Sequence, residues 1–224
     1  MHVSLESRKR AALEDPGAEL LDRLTGLWER YGRIALVVIG AAAVVGVVAY
    51  LTVSANRRNE EAASSKLGQA DDLFWRGDYE RSQQIATDVA RQYGGTPSGT
   101  DALRIAGDDA FWRGHWKDAV VQYRAYLGKR GSGLVANAVR RSLAYALESD
   151  GQYAEAAKLY DQLVGAFERE SSGEMLFAAA RCERQIGQAD AAKRDLQRIV
   201  DEFGDTSYQV RAREALAEIQ ATGR

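Results

Sequence analysis

The chain has 224 residues, of which 46% are hydrophobic and 28% charged, and 30 basic residues stand against 32 acidic ones for a formal charge of −2. This composition excludes a disordered or collagen-like chain, and the balanced charge argues against a general nucleic-acid binder, which needs a net basic face. A single cysteine excludes an intramolecular disulfide, two histidines argue against a metal site rich in Cys or His, and two prolines favour long helices.

Residues 34–53, IALVVIGAAAVVGVVAYLTV, form an uncharged apolar run. As a helix it would be roughly 30 Å long, which is about the thickness of the hydrocarbon core of a bilayer. Arginines flank it on both sides: Arg30, Arg33, Arg57 and Arg58. The run therefore predicts an uncleaved transmembrane helix at 34–53. The alternatives are a buried core helix and a signal peptide cleaved near Ala55.

Residues 1–33 are predicted to be a cytoplasmic basic tail followed by an amphipathic helix. The tail and helix carry six basic residues, Arg8, Lys9, Arg10, Arg23, Arg30 and Arg33. After a Pro16-Gly17 break, apolar residues recur at helical spacing, among them Leu20, Leu24, Leu27 and Trp28. The basic flank places the N-terminus in the cytoplasm and the C-terminal part in the periplasm of a bacterium. Three basic residues after the span nearly balance the nearest ones before it, so the opposite orientation stays open.

Small residues line one side of the predicted span. Ala42 and Gly46 form a small-xxx-small pair, and Ala49 lies on the same side. Such a face lets another helix approach closely, so these three residues are a candidate packing face. An alanine-rich span also produces this spacing by chance. Residues 54–61 are predicted to connect the span to a repeat domain at 62–224.

The region after the span repeats itself with a period of 36–37 residues. The segments are WRGDYERSQQIA from Trp75, WRGHWKDAVVQY from Trp112, SDGQYAEAAKLY from Ser149 and QIGQADAAKRDL from Gln185. Each glycine is predicted to end one helix with φ > 0. Two residues later an aromatic side chain packs as the next helix begins. Small residues five positions after the glycine and bulky ones nine positions after it fill the layer between helices.

This pattern resembles the tetratricopeptide repeat (TPR) family, whose second half-repeat reads G-x-aromatic-x-x-A-x-x-x-aromatic. The fourth segment departs from it, with Ala189 in the aromatic slot and Leu196 in the later one. The resemblance implies an all-α fold: one N-terminal transmembrane helix, then a TPR-like α-solenoid of about four helix pairs plus a cap helix. The cap is predicted at 207–220, with one apolar face formed by Val210, Ala215, Leu216 and Ile219. Loops are predicted at 94–99, 129–133, 171–173 and 204–206.

The layout of residues 20–224 resembles a narrower group, single-pass bacterial inner-membrane proteins of the YfgM type with a periplasmic TPR-like domain. The lead-in Trp28-Glu29-Arg30-Tyr31-Gly32 also resembles that group. The resemblance implies protein partners at the inner membrane, such as the Sec translocon and periplasmic chaperones. An alternative is a structural accessory subunit that stabilises a large respiratory or photosynthetic complex through its span and solenoid.

No catalytic constellation is present in the sequence, so no catalytic residue, cofactor, metal, nucleic acid or small-molecule substrate is predicted. Cys182 is interpreted as a packed thiol because no histidine lies nearby in sequence to activate it. His115 is interpreted as an exposed turn residue. The paired carboxylates Asp71/Asp72 and Asp108/Asp109 are interpreted as a solvated face.

In TPR domains the first helix of each repeat lines a concave groove. Carrying those positions over predicts a groove formed by Asp71, Trp75, Arg104, Asp108, Trp112, Arg141, Tyr145, Glu148, Phe177 and Arg181. Three of them, Arg104, Arg141 and Arg181, are predicted to form a ladder that grips an acidic or extended peptide. The alternative is that these arginines pair with Asp108 and Glu148. The Lys/Asn pattern of the chaperone-tail carboxylate clamp is absent.

Overall fold

The computed structural model describes residues 16–222, and within that range the secondary structure is entirely helical. The helices are α1 Pro16–Trp75, α2 Tyr79–Gln92, α3 Pro97–Trp112, α4 Trp116–Lys129, α5 Leu134–Ser149, α6 Tyr153–Gln162, α7 Arg169–Gln185, α8 Ala189–Glu202 and α9 Tyr208–Thr222. Arg8, Lys9 and Arg10, which belong to the predicted cytoplasmic tail, lie outside the described range. The chain divides into two compact units between Asn56 and Arg57.

The first unit contains the apolar part of α1. The helix begins at Pro16, so Pro16 and Gly17 form its first turn and not a break before it. All large apolar side chains from Ile34 to Val53 are more than half exposed. The mean hydropathy there reaches 2.7, so the helix is long and apolar enough to cross a membrane. The hydroxyl of Thr52 donates to the carbonyl of Val48 at 2.8 Å, which satisfies the polar group within the helix.

The Trp28–Gly32 pair explains why a glycine suits the lead-in to this apolar stretch. A Cβ atom at position 32 would lie 3.2 Å from the indole of Trp28, and Gly32 is buried beneath that ring. The side chain at i+4 must be absent for the indole to lie flat along the helix at this point.

The second unit begins with the last turns of α1. Ala63 and Ala70 of α1 are fully buried, as are Ala86 and Val89 of α2 and Ala102 of α3. From α2 to α9 each helix packs against the next. Glu60, which lies in the predicted connector, is already part of this packing: its carboxylate accepts hydrogen bonds from the Ser98 amide at 3.1 Å and hydroxyl at 2.7 Å.

The four predicted turn glycines all adopt positive φ. The values are 80° for Gly77, 75° for Gly114, 80° for Gly151 and 74° for Gly187. At the third turn the N–H of Gln152 donates to the carbonyl of Leu147 at 2.8 Å, and the N–H of Gly151 donates to that of Glu148 at 3.0 Å. This pair of bonds is a Schellman motif, and it recurs at the other three turns.

The layer between paired helices is filled as the repeat pattern predicts. The small side chains five positions after the glycines are fully buried: Ser82, Ala119, Ala156 and Ala192. The side chains nine positions after them are at most 1% exposed: Ala86, Tyr123, Tyr160 and Leu196. The aromatic at the start of the helix is less uniform, because Trp116 is exposed.

Two predicted loops are partly or wholly helical. Helix α3 begins at Pro97, with Thr96 as N-cap, so only 94–96 form a loop. Residues 171–173 lie inside α7, and the connection is 163–168. The small residues are needed there for packing, since a Cβ at Gly173 would lie 3.0 Å from the Thr206 hydroxyl. In the cap helix, Val210 is 60% exposed and Ala212 is buried in its place.

Replacing Gly151 by valine is expected to lower the free energy of unfolding by about 2 kcal/mol, because a β-branched residue is strained at φ 80°. Urea unfolding followed by circular dichroism measures the change. Gly128→Ala is the control, because Gly128 lies within α4 with open space around its Cβ position. That variant is expected to be stabilised by about 0.5–1 kcal/mol. Equal stability of Gly151→Val and the wild type would contradict the turn assignment.

Candidate groove site

The predicted groove residues occupy three repeating positions on the first helices. Counted back from the turn glycine, they lie two, six and ten residues away, except Glu148, which lies three residues away. We call these positions on α1, α3, α5 and α7 the groove face. At position six the residues are Asp71, Asp108, Tyr145 and Arg181. Repeats 1 to 4 are the helix pairs α1–α2, α3–α4, α5–α6 and α7–α8.

In repeat 2, Asp108 is held by two partners. Nη1 of Arg104 lies 2.9 Å from its Oδ2 atom, and the hydroxyl of Tyr123 donates to Oδ1 at 2.7 Å. The Asp108 side chain is 23% exposed. Burial raises the pKa of this carboxyl, while the Tyr123 hydrogen bond and the Arg104 charge lower it. Its interpretation as part of a solvated face is therefore wrong.

A cavity of about 170 Å³ opens on the groove face between repeats 2 and 3. It is lined by Asp108, Phe111, Trp112, Tyr123, Ser142 and Tyr145. Three of these, Asp108, Trp112 and Tyr145, are predicted groove residues that the fold brings together. Trp112 is 62% exposed although its ring lies 6.2 Å from that of Tyr79 in a stacked arrangement. Ser142 and Phe111 are not among the predicted groove residues, because each lies one residue from a groove-face position, beside Arg141 and Trp112 respectively.

In repeats 3 and 4, Glu148 is the centre of a second set of contacts. Arg181 donates to both its oxygens, at 2.5 and 2.8 Å, and the hydroxyl of Tyr160 donates to it at 2.8 Å. These bonds lower the pKa of Glu148 although burial opposes them. The adjoining Cys182 is buried, which raises the pKa of its thiol to about 12. It remains protonated near neutral pH and cannot act as a thiolate nucleophile.

The third arginine of the predicted ladder, Arg141, stacks over the ring of Phe167 at 5.0 Å. The hydroxyl of Tyr145 donates to Glu174 at 2.5 Å, which ties α5 to α7. Phe177 lies beneath Arg211 of α9 at 4.6 Å. In this structure Arg104 and Arg181 bind carboxylates and Arg141 covers an aromatic ring, so all three guanidinium groups have partners within the repeats.

Repeat 1 contributes the most exposed aromatic residue outside the apolar stretch. Trp75 is 78% exposed and contacts Phe74 edge-on at 5.5 Å. Asp71 lies at the same position of repeat 1 as Asp108 in repeat 2 and is exposed. His115, as predicted, is exposed at the turn before α4, 3.9 Å from Asp118.

The interpretation of Asp109 as part of a solvated face is also wrong. Asp109 is 0% exposed and accepts a hydrogen bond from the Ser82 hydroxyl at 2.8 Å, while its Oδ1 atom has no partner in the described part of the chain. Burial and the neighbouring Asp108 raise its pKa to about 7. The adjacent acidic residues Asp108 and Asp109 are not a solvated pair, because one points between helices and the other into the groove cavity.

The predicted packing face of the apolar stretch is open. Ala42, Gly46 and Ala49 are all exposed. Among residues 16–222, nothing outside the helix's own backbone lies within 4 Å of the position that a Cβ would take at Gly46.

Comparison with known proteins identifies the repeats. Residues 26–172 match the model of a family described as a tetratricopeptide repeat-like domain. Among curated proteins none matches the chain significantly.

Two solved structures illustrate the shared fold. One contains the nearly identical TPR-like repeats of a kinesin light chain from Podosopora anserina. Its sequence is 19% identical to this chain, with a TM-score of 0.58 over 73% of this chain and 88% of that one. A tetratricopeptide repeat protein from Parabacteroides merdae is 15% identical, with a TM-score of 0.61 over 72% of this chain and 61% of that one. At these identities the similarity shows the fold alone.

Proposed function

Because the chain belongs to the tetratricopeptide repeat-like domain family, we propose that it is a membrane-anchored protein–protein interaction module. In this proposal the apolar stretch of α1 crosses a bacterial inner membrane and the groove face binds a protein partner on the periplasmic side. The observation that carries the binding role is the open groove-face cavity beside the 62% exposed Trp112. Exposed tryptophan residues beside a cavity are frequent hot spots of protein interfaces.

The membrane anchor is supported by the exposure and hydropathy of residues 34–53. An unpaired apolar surface of this length is unfavourable in water and favourable in hydrocarbon. The short basic flank before it favours a cytoplasmic N-terminus, while a long domain can be translocated regardless of its charge. By resemblance to the YfgM-type proteins, the partner belongs to an inner-membrane assembly such as the Sec translocon or its chaperones.

Protease added to spheroplasts is expected to digest the repeat domain, because the proposed orientation exposes residues after about 56 to the periplasm. Immunoblotting with an antibody against the repeats measures the digestion, and a cytoplasmic protein serves as the control for intact cells. Protection in spheroplasts together with digestion in inverted vesicles would reverse the orientation.

Trp112→Ala is expected to reduce recovery of the partner about tenfold in a pull-down from mild-detergent membranes, because it removes the exposed wall of the cavity. Mass spectrometry quantifies the proteins that co-purify. Trp75→Ala is the matched control, since Trp75 lies at the same groove-face position in repeat 1 and outside the cavity lining. Equal loss with both variants would argue against a role for the cavity.

The alternative, an accessory subunit of a respiratory or photosynthetic complex, is favoured by one observation, the open small-residue face at Ala42, Gly46 and Ala49. In that case recovery depends on the span. Gly46→Leu would then release the protein from its complex while Trp112→Ala remained bound, which separates the two functions in one experiment.

A further inference from the structure

Four aromatic rings and a carboxylate surround the groove-face cavity between repeats 2 and 3. The rings belong to Phe111, Trp112, Tyr123 and Tyr145, and Asp108 supplies the carboxylate. The rings of Phe111 and Trp112 meet almost at right angles, at 85° with centroids 6.1 Å apart, and so form two walls. Electron-rich aromatic faces beside a carboxylate attract an ammonium or guanidinium group more strongly than a neutral apolar group.

Hydrogen bonds to carboxylates strengthen this preference. The hydroxyl of Tyr123 donates to Asp108 at 2.7 Å and that of Tyr145 donates to Glu174 at 2.5 Å. A phenol that donates to a carboxylate gains electron density in its ring, which strengthens the attraction of the ring for a cation.

Asp108 itself still lacks full compensation for its burial. Its pKa is raised because burial outweighs the hydrogen bond from Tyr123 and the charge of Arg104. An ionised carboxylate offers about four acceptor sites, and Arg104 and Tyr123 occupy two of them. A further positive charge in the cavity would stabilise the ionised form of Asp108, which can accept hydrogen bonds beyond those from Arg104 and Tyr123.

The next repeat junction contains such a cation from the chain itself. There the tyrosine nine residues after the turn glycine, Tyr160, donates to Glu148, as Tyr123 donates to Asp108. The residue six positions before the following glycine is Arg181, and its guanidinium group binds Glu148 at 2.5 Å. At the junction of repeats 2 and 3 that position is Tyr145, so the chain's own cation on Asp108 comes from Arg104 of α3, and a cavity of about 170 Å³ adjoins the pair.

We propose that this cavity binds a lysine side chain from an extended segment of the protein partner. The ammonium group lies against Asp108, and the methylene stem lies between the rings of Trp112 and Tyr145. A volume of about 170 Å³ accommodates one such unbranched side chain. The inference rests on the proposed function, because it specifies a chemical feature of the segment that the groove face would bind.

Two small probes test the charge preference directly. Nα-acetyl-lysine methylamide and Nα-acetyl-norleucine methylamide share their backbone, and only the lysine probe carries an ammonium group at the end of its side chain. Binding to the full chain in nanodiscs is measured by saturation-transfer NMR. The lysine probe is expected to bind at least about tenfold more tightly, and Asp108→Asn is expected to abolish that preference. Asp71→Asn is the matched control, since it removes the same charge at the same position of repeat 1, and it should preserve the preference.

Three results would overturn the inference: equal binding of the two probes, tighter binding of norleucine, or binding of neither. An equal effect of Asp71→Asn and Asp108→Asn would also overturn it, because the preference would then reflect the overall charge of the groove face. The pull-down with Trp112→Ala reports separately on the proposed function. Loss of partner recovery without a lysine preference would keep the interaction module and reject the lysine site.

Discussion

The substitution Gly99→Ala is expected to lower the free energy of unfolding by about 3 kcal/mol. A Cβ atom at this position would lie 1.8 Å from the carbonyl oxygen of Tyr93 and 2.4 Å from its carbonyl carbon. These are backbone atoms, so the clash cannot be relieved by rotation of a side chain. The chain must move at the junction between α2 and α3.

That movement is opposed by a set of hydrogen bonds around the same carbonyl. The Tyr93 oxygen accepts from the Thr96 amide at 2.8 Å and from the Thr96 hydroxyl at 2.9 Å, and that hydroxyl also accepts from the Gly99 amide at 3.0 Å. The next residue back, Ser98, is held by Glu60 of α1. A shift at Gly99 therefore disturbs the cap of α3 and its contact with α1 together.

Chemical unfolding of the full chain in detergent micelles, followed by circular dichroism, measures this loss. Gly95→Ala is the control, because Gly95 lies in the same loop with nothing within 4 Å of its Cβ position. Its free energy of unfolding is expected to change by less than about 0.5 kcal/mol. If the midpoints of the two variants coincide, the close approach at Gly99 does not constrain the protein.

The repeat glycines show what could be predicted from the sequence. A glycine every 36–37 residues reports a local backbone requirement, and all four have positive φ. Likewise, the buried small and bulky positions follow from helical spacing after each glycine. These features depend on residues close together in the chain, so the sequence pattern carries them.

The limits of helices and the burial of polar residues were predicted less well. The glycine and serines at 171–173 look like a loop, yet their small size serves packing against α9 inside a helix. Asp108 and Asp109 are adjacent and chemically identical, yet one reaches Tyr123 and the other Ser82. Which neighbour each meets depends on contacts 15 and 27 residues away, and no local pattern encodes those distances.

The groove arginines illustrate the same limit. Arg104 and Arg141 lie ten residues before their turn glycines, and Arg181 lies six residues before its own. Whether a guanidinium group is available to a ligand depends on the neighbours it meets, and Arg181 meets Glu148 from another helix. The charge that the cavity presents is therefore decided by Asp108 and the rings around it, which the sequence places on three different helices.

Replacing both Ser82 and Asp109 by alanine is expected to raise the free energy of unfolding by about 2 kcal/mol at pH 8. At that pH Asp109 is ionised, fully buried and left with one unpartnered oxygen. The equivalent residues at the next junction are Ala119 and Ala146, and both are fully buried. Two alanines therefore already pack at the equivalent positions in this fold. Replacing a buried ion pair by well-packed apolar residues of similar volume is often stabilising by 1–4 kcal/mol, and removing this buried charge together with its hydrogen-bond partner is expected to act in the same direction.

The gain in free energy of unfolding of the double variant over the wild type is expected to increase as the pH rises. Burial raises the pKa of Asp109 from 3.8 to about 7, so between these values the folded protein retains a proton that the unfolded chain has lost. The unfolded state then binds fewer protons, and the wild type loses stability as pH rises through this range. The double variant lacks this contribution. Its advantage over the wild type should therefore be smallest near pH 4 and reach its full value above pH 7.

Urea unfolding of the wild type and the variants at pH 5 and pH 8 measures both the gain in free energy of unfolding and its dependence on pH. Glu183, whose pKa burial also raises to about 7, is retained in all of them, so its contribution cancels in the comparison. Asp72→Ala is the matched control, because Asp72 lies at the same position of repeat 1 but is exposed and pairs with Arg76, and little change is expected. Ser82→Ala alone should destabilise the protein at pH 8, since it removes the hydrogen bond to Asp109 and leaves the charge buried. A gain at pH 5 equal to that at pH 8 would mean that Asp109 does not titrate between them.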